Sequence, residues 1–195
     1  GSVLAGQNDN TSFSIEVLDL AGNKGSPVSA TDDNTEVVLD TTTPTLSGIT
    51  LVSNNANDPQ TFAKPGDNIT LSFSTSETIQ TPVIMLADDS SLTVVDKSLN
   101  SDGTSWQVIY SVTSSEQDRD VSFNIRYQDI AGNTGDNRTQ SNSSTNTIRI
   151  DTGLPELELI NLASNNPDNS TAMAGDQVTL TVHSKEALQT LNLVN

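Results

Sequence analysis

The sequence contains no cysteine, only 8 basic side chains and few aromatic ones. Without cysteine no disulfide can brace the fold, so an extracellular life would need another source of stability, such as a bound metal. The 25 acidic side chains far outnumber the basic ones and give a formal net charge of -17. Because such a field repels phosphate backbones and attracts cations, we expect no nucleic-acid partner.

Long apolar runs are missing as well. No stretch approaches the roughly 18 residues that a membrane-spanning helix requires, so we expect no membrane insertion in this stretch of sequence. Hydrophobic residues nevertheless make up 33% of the chain and follow regular patterns. This patterning favours a folded protein over an acidic disordered tail.

The residues needed for common catalytic arrangements are scarce. His183 is the only histidine, and its strand-like surroundings predict an outward-facing surface position. Its repeat is incomplete and cysteine is absent, so we expect neither a Ser–His–Asp nor a Cys–His arrangement around it. Nothing in the sequence places two carboxylates in a cleft. We therefore predict that the chain is not an enzyme.

The sequence repeats itself with an offset of about 110 residues. Residues 11–55 align with residues 121–166, and residues 64–80 align with residues 173–189. The alignment pairs Phe13 with Phe123, Asp19 with Asp129, Asp40 with Asp151, Pro44 with Pro155, Gly66 with Gly175, Asp67 with Asp176 and Glu77 with Glu186. The pentapeptide "DLAGN" at 19–23 thus returns as "DIAGN" at 129–133.

This spacing is too long for a solenoid and fits tandem domains of about 100 residues. We predict the C-terminal part of one repeat at 1–42, a complete repeat at 43–152 and the N-terminal part of the next repeat at 153–195. Neither partial repeat could bury a core alone. We therefore expect either a longer polypeptide or the complementation of one chain's leading part by another chain's trailing part.

Strict alternation of apolar and polar residues indicates β-strands. In "VSFNIRYQD" the side chains of Val121, Phe123, Ile125 and Tyr127 share one face, as a half-buried antiparallel strand requires. Seven strands are predicted in the complete repeat, at 45–53, 68–74, 82–86, 92–95, 105–113, 120–128 and 146–151. Strands of this number and spacing predict an all-β, immunoglobulin-like Greek-key β-sandwich.

Three stretches together resemble the bacterial immunoglobulin-like repeats of large secreted surface proteins and adhesins: "DTTTPTLSGITLVSNN", "AKPGDNITLSFSTSE" and "SFNIRYQDIAGNTG". The resemblance implies tandem, stalk-forming domains that are secreted or lie at the cell surface. It implies neighbouring repeats of the same chain as partners, with like chains in a filament as a further possibility. In such families calcium often stiffens the junctions.

The connectivity of a sandwich predicts where the acidic loops lie. Asp129 follows the sixth strand and Glu77 the second, so both should face the linker that carries Asp40. The preceding repeat should bring Asp9 opposite them, and Asp19 holds the place of Asp129 in that repeat. Carboxylates from distant parts of the sequence thus converge on one predicted junction.

The next predicted junction has the same design. Glu116, Asp118 and Asp120 lie in the loop before the sixth strand, Asp151 lies in the following linker, and Glu186 matches Glu77. The arrangement is similar to that of cadherins, although the Asn-Asp-Asn linker of cadherins is absent. Calcium takes six to eight oxygen ligands, which such carboxylates, amides and carbonyls can provide.

Alternatives remain for both the pentapeptide and the whole chain. Asp19 and Asp129 could serve only their own turns, because aspartate accepts local backbone hydrogen bonds and glycine supplies the unusual backbone angle. The function predicted is a structural spacer of an extracellular repeat protein with calcium-stiffened junctions. The alternatives are an adhesive module that binds glycan or protein, and a filament subunit that uses strand complementation.

Overall fold

The computed structural model describes residues 9–58, 61–86, 94–96, 102–139 and 147–192, with the side chains of Asp9 and of residues 94–96 outside that description. The described residues form β-strands, bridges and turns and contain no helix. The prediction of an all-β chain is confirmed. The chain divides into two compact units, Gly1–Asp151 and Thr152–Asn195.

The first unit begins with a loosely packed segment. Strands β1 (Asp9–Asn10) and β2 (Val38–Leu39) pair antiparallel, and isolated bridges join Ile15 to Val28 and Leu18 to Lys24. The apolar side chains along this segment, including Phe13 and Val17, are exposed. Strand pairing is therefore present here without a buried core.

The described residues of the first unit form nine further strands. They are β3 (Leu46–Ser53), β4 (Phe62–Ala63), β5 (Asn68–Thr75), β6 (Val83–Leu86), β7 (Val94–Asp96), β8 (Ser105–Ser111), β9 (Arg119–Asp120), β10 (Phe123–Arg126) and β11 (Arg149–Ile150). One sheet has the order β3-β5-β8-β7 and is antiparallel throughout. Smaller sheets are β6-β10 and β4-β11-β9.

These sheets enclose one apolar core in a sandwich-like arrangement. The strand β5 alternates between half-buried polar and buried side chains, and every buried one except Thr75 is apolar. This pattern fits its position between β3 and β8. The buried core comprises Ile49, Leu51, Ala63, Ile69, Leu71, Phe73, Ile79, Ile84, Leu86, Trp106, Val108, Tyr110, Val112, Val121, Phe123, Ile125, Tyr127, Ile148 and Ile150. The inward face predicted for Val121, Phe123, Ile125 and Tyr127 is part of this core. The matching prediction that Phe13, Ile15 and Val17 point inward is wrong, because all three are exposed.

The predicted count of seven strands is not confirmed. The structure adds the two-residue strand β4 and separates the two-residue strand β9 from β10 at the start of the predicted strand 120–128. These short strands flank β11 in a parallel and an antiparallel pairing. Two residues are too few to produce an alternating pattern, so the sequence carries no signal for them. Part of the predicted strand 92–95 lies outside the described residues, and β7 covers the rest of it.

The second unit contains one antiparallel hairpin in its described part. Strands β12 (Leu157–Ser164) and β13 (Val178–Ser184) pair with Leu162 opposite Leu180 and Ser164 opposite Val178. In the first unit, β3 and β5 pair with Leu51 opposite Leu71 and Ser53 opposite Ile69. The two hairpins therefore share one register at the positions that the sequence alignment matches. None of the described residues forms a helix of the length and apolar character that crossing a bilayer requires.

Candidate metal centre

Asp129 lies three residues after the end of β10, and it is completely buried. Its Oδ1 atom accepts hydrogen bonds from the backbone N–H groups of Gly132 at 2.6 Å and Asn133 at 2.8 Å. Its Oδ2 atom accepts one from the Asn133 side-chain amide at 2.8 Å. The turn closes because Gly132 adopts a φ of 98°, which other L-residues rarely adopt.

The matching pentapeptide at Asp19 folds in the same way. Asp19 Oδ1 accepts from the backbone N–H of Asn23 at 2.8 Å, and Asp19 Oδ2 accepts from the Asn23 amide at 2.7 Å. Gly22 has a φ of 88°. Asp19, however, is exposed. The pentapeptide is thus a self-sufficient turn in both places, and only Asp129 is also enclosed by the protein.

The linker before β3 is held against this turn. The Asn133 side-chain amide donates a second hydrogen bond, to the backbone carbonyl of Asp40 at 3.1 Å. Further along the linker, Thr45 donates its backbone N–H to Ser76 Oγ at 3.0 Å, and Ser76 N–H donates back to the Thr45 carbonyl at 3.0 Å. Asp40 and Glu77 are thereby brought to the same end of the β-structure as Asp129.

The carboxylates of Asp40, Glu77 and Asp129 lie close enough to share one cation. One carboxylate oxygen from each residue lies within 4.8 Å of the other two. Asp40 and Glu77 are half-buried, and Asp40 Oδ1 also accepts the backbone N–H of Thr42 at 2.9 Å. At such a separation each pair of charges repels by about 3 kcal/mol at an effective dielectric constant of 20. A cation between them would remove this repulsion.

The pKa values of Glu77 and Asp129 are shifted in opposite directions. Burial, followed by the negative charges of Asp40 and Asp129, raises the pKa of Glu77. Burial also acts to raise the pKa of Asp129, but the hydrogen bonds from Asn133 and Gly132 outweigh it and leave that pKa below its ordinary value. At neutral pH, Asp129 is therefore firmly ionised while Glu77 bears the repulsion.

The acidic residues predicted for the second junction have partners of their own. Glu116 accepts a short hydrogen bond from the Tyr110 hydroxyl and pairs with Arg119 at 2.9 Å. Burial and the contact with Glu116 raise the pKa of Tyr110 to about 12. Asp120 lies 3.5 Å from Arg149. A metal ion at Glu116 or Asp120 would compete with an arginine.

The remaining predicted ligands are spread over the chain. Asp118 is exposed in the loop before β9, Asp151 ends the first unit, and Glu186 follows β13 in the second unit. Ser184 Oγ hydrogen-bonds the Glu186 carbonyl, as Thr75 Oγ1 does the Glu77 carbonyl, so the two glutamates follow matching turns. The side chain of Asp9 lies outside the described residues. Among the predicted ligands of the first unit whose side chains the structure describes, Asp40, Glu77 and Asp129 come together.

The sequence pattern assigns no contact to Asn133. It explains the pentapeptide by its aspartate and glycine, whereas the side-chain amide of Asn133 is the group that contacts both the turn and the linker. The recurrence of asparagine at the fifth position in both copies was the available signal. The structure also explains the glycine two residues further on, because a Cβ at Gly135 would lie 2.3 Å from the Tyr127 ring.

Comparison of the chain with protein-family models, with curated proteins and with solved structures found no match.

Proposed function

We propose that this chain is a structural spacer of a large extracellular repeat protein, built from tandem immunoglobulin-like β-sandwich modules whose junctions bind calcium and become stiffer. The observation that carries the proposal is the convergence of three carboxylates from a linker and two loops within 4.8 Å. Asp40 lies in the linker, whereas Glu77 and Asp129 belong to the module that follows it. A shared cation would therefore tie a linker to a module.

Recurring loop structures support the tandem organisation. The amide of Asn55 donates to Asp67 Oδ2 at 2.7 Å, and the amide of Asn166 donates to Asp176 Oδ2 at 3.0 Å. In each hairpin the same Oδ2 atom also accepts a backbone N–H, from Lys64 or from Met173. Matching sequence, register and hydrogen bonds are what copies of one module would have.

The chemistry of the carboxylate group favours calcium. All three side chains offer oxygen atoms, the ligands of hard cations. Both hydrogen-bonding positions of Asp129 Oδ1 are occupied by backbone N–H groups, and the Asn133 amide occupies one of the two at Oδ2. A metal would therefore bind Asp129 more readily through Oδ2 than through Oδ1. Calcium tolerates such an irregular set completed by water, whereas magnesium demands a nearly ideal octahedron.

A cation bound by Asp40, Glu77 and Asp129 would change the stiffness of the linker more than the stability of the fold. The linker already has hydrogen bonds to Asn133 and Ser76, and repulsion among the three carboxylates opposes this approach. A cation reverses the sign of that electrostatic contribution. We expect an affinity on the order of 10⁻⁴–10⁻³ M, as in other extracellular calcium modules.

Distance measurement between two spin labels tests this function. The sequence has no cysteine, so Ser29→Cys and Thr50→Cys, both at exposed positions, would carry the only labels. One label reports the segment before the linker and the other the module after it. We expect calcium to narrow the distance distribution between them, and a chelator to broaden it again.

Two further variants make the test specific. Glu77→Gln should abolish the narrowing, because it removes one carboxylate of the group. Asp32→Asn makes the same change in net charge at an exposed position and should leave the narrowing intact. A distribution of the same width with calcium and with chelator would refute the stiffening function.

A further inference from the structure

The hairpin β12–β13 presents an apolar face that the described residues leave uncovered. Ile160 and Leu162 on β12 are 63% and 67% exposed, and Val178 and Leu180 on β13 are also exposed. The hairpin forms a two-stranded sheet, so within the described part of the chain the outer edge of β13 has no strand beside it. An apolar face and a free strand edge thus occur on the same element.

In the matching hairpin of the first unit, β3–β5, the corresponding apolar face is buried. Ile49 and Leu51, which match Ile160 and Leu162, are each 1% exposed, and Ile69 and Leu71, which match Val178 and Leu180, are fully buried. The two hairpins share their register and their loop hydrogen bonds. The difference in exposure therefore reflects what packs against each hairpin.

The covering elements in the first unit have a definite chemistry. The edge of β5 that corresponds to the free edge of β13 pairs with β8. This pairing places Tyr110 opposite Ile69 and Trp106 opposite Phe73. The same core contains Phe123 and Ile125 of β10 and Ile150 of β11. The cover is thus a set of strands with large aromatic and β-branched side chains at alternate positions, one of which extends the sheet.

We propose that the face and free edge of β12–β13 bind a polypeptide that carries the later strands of this same module, with the alternating aromatic and aliphatic pattern of residues 102–151. The binding mode is addition of a strand to β13, followed by closure of a second sheet over Ile160 and Leu162. This inference concerns apolar burial alone and does not rest on calcium binding.

A second copy of the chain is a poorer fit to this surface. Its loosely packed segment 10–42 exposes Phe13, Ile15 and Val17, which match Phe123, Ile125 and Tyr127. The segment contains no counterpart of β8 in the alignment. The strand that would extend β13 has to come from elsewhere.

The test joins the full chain through Gln189 to a second copy of its own residues 81–151, because Gln189 matches Gln80. Amide hydrogen exchange of Leu180 and Val182 is compared with that of the unextended chain. We expect exchange at these amides to slow by roughly a hundredfold or more, as for strands that join a core. A control extension with Val108→Asn and Ile125→Asn in the appended copy should give no such protection.

Several outcomes would overturn the proposal. One is unchanged exchange at β13 with a folded extension. Another is an extension that stays disordered while the original residues 81–151 in the same chain remain folded, because the same sequence folds there against β3–β5. The third is an unextended chain whose β13 amides become equally protected as it oligomerises with rising concentration, which would identify a second copy as the occupant.

Discussion

At the scale of single residues, the side-chain amide of Asn133 is the group that joins the acidic turn to the linker. It donates to Asp129 Oδ2 at 2.8 Å and to the Asp40 carbonyl at 3.1 Å. Asn23 makes the first of these contacts in the exposed copy of the turn. The two asparagines therefore form a natural pair for separating the contribution of the linker from that of the turn.

Replacement of Asn133 by alanine should lower the free energy of unfolding of the first unit by about 1–3 kcal/mol. The change removes two hydrogen bonds, one of them the side-chain donor to Oδ2 of the buried Asp129 carboxylate. Urea unfolding in the presence of chelator measures the effect. Asn23→Ala is the matched control and should cost less than about 1 kcal/mol, because water can replace the lost contact at an exposed turn. Equal effects of the two changes would contradict the linker contact.

The raised pKa of Glu77 predicts that the stability of the protein depends on pH in an unusual way. Its pKa is raised in the folded protein, so its contribution to stability is fully present below its unfolded pKa and is lost as pH rises through the folded value. In chelator, Glu77→Gln should therefore be more stable than the parent protein at pH 7. The advantage should shrink as pH falls towards 4.5, the ordinary pKa of glutamate.

The measurement is urea unfolding of both proteins from pH 7 to pH 4. Asp129 contributes in the opposite sense, because its lowered pKa gives stability that is lost only as pH falls through that lower value. Comparison of the two proteins at each pH cancels this second effect. If the difference in free energy of unfolding between the two proteins stays constant from pH 7 to pH 4, Glu77 is not repelled by Asp40 and Asp129 as described.

At the scale of elements, the segments before and after the turn at 129–133 pack closely against each other because Gly135 has no side chain. A bridge joins Gln128 to Thr134, and the buried ring of Tyr127 lies over Gly135. In the exposed copy, Gly25 lies against Val17 in the same way, with a built Cβ 2.7 Å from Val17 Cγ2. The two glycines again form a matched pair in different surroundings.

Gly135→Ala should destabilise the first unit by about 1–3 kcal/mol, because the new methyl group overlaps a ring that the core holds in place. Thermal unfolding of the two alanine variants measures this. Gly25→Ala should cost less, since the Val17 side chain is exposed and can rotate away. A larger loss at Gly25 than at Gly135 would contradict the packing described.

Much of this element structure could be predicted from the sequence, and the misses have physical causes. Alternation identified the inward face of the segment that contains β10 because burial on one side of a sheet selects apolar residues with a period of two. The short strand β4 was missed, and β9 was not separated from β10, because two residues carry no period. Pairing of Glu116 with Arg119 was missed too, since loop geometry decides which charges meet.

At the scale of the whole molecule, the matched segments differ mainly in what surrounds them. Residues 44–151 contain the apolar core, whereas the corresponding side chains in 10–39 and 157–184 are largely exposed. The approach of Asp40, Glu77 and Asp129 could be predicted because sandwich connectivity assigns loops to ends. The role of Asn133 could not, because it depends on the orientation of one amide within a turn.

The central claim is that Asp40, Glu77 and Asp129 bind calcium together. Nuclear magnetic resonance titration with calcium, following the amides of Gly132 and Asn133, tests it most directly. We predict saturable shifts with a dissociation constant on the order of 10⁻⁴–10⁻³ M, lost in Glu77→Gln and retained in the charge-matched Asp32→Asn. Shifts that do not saturate, or that persist unchanged in Glu77→Gln, would contradict the account.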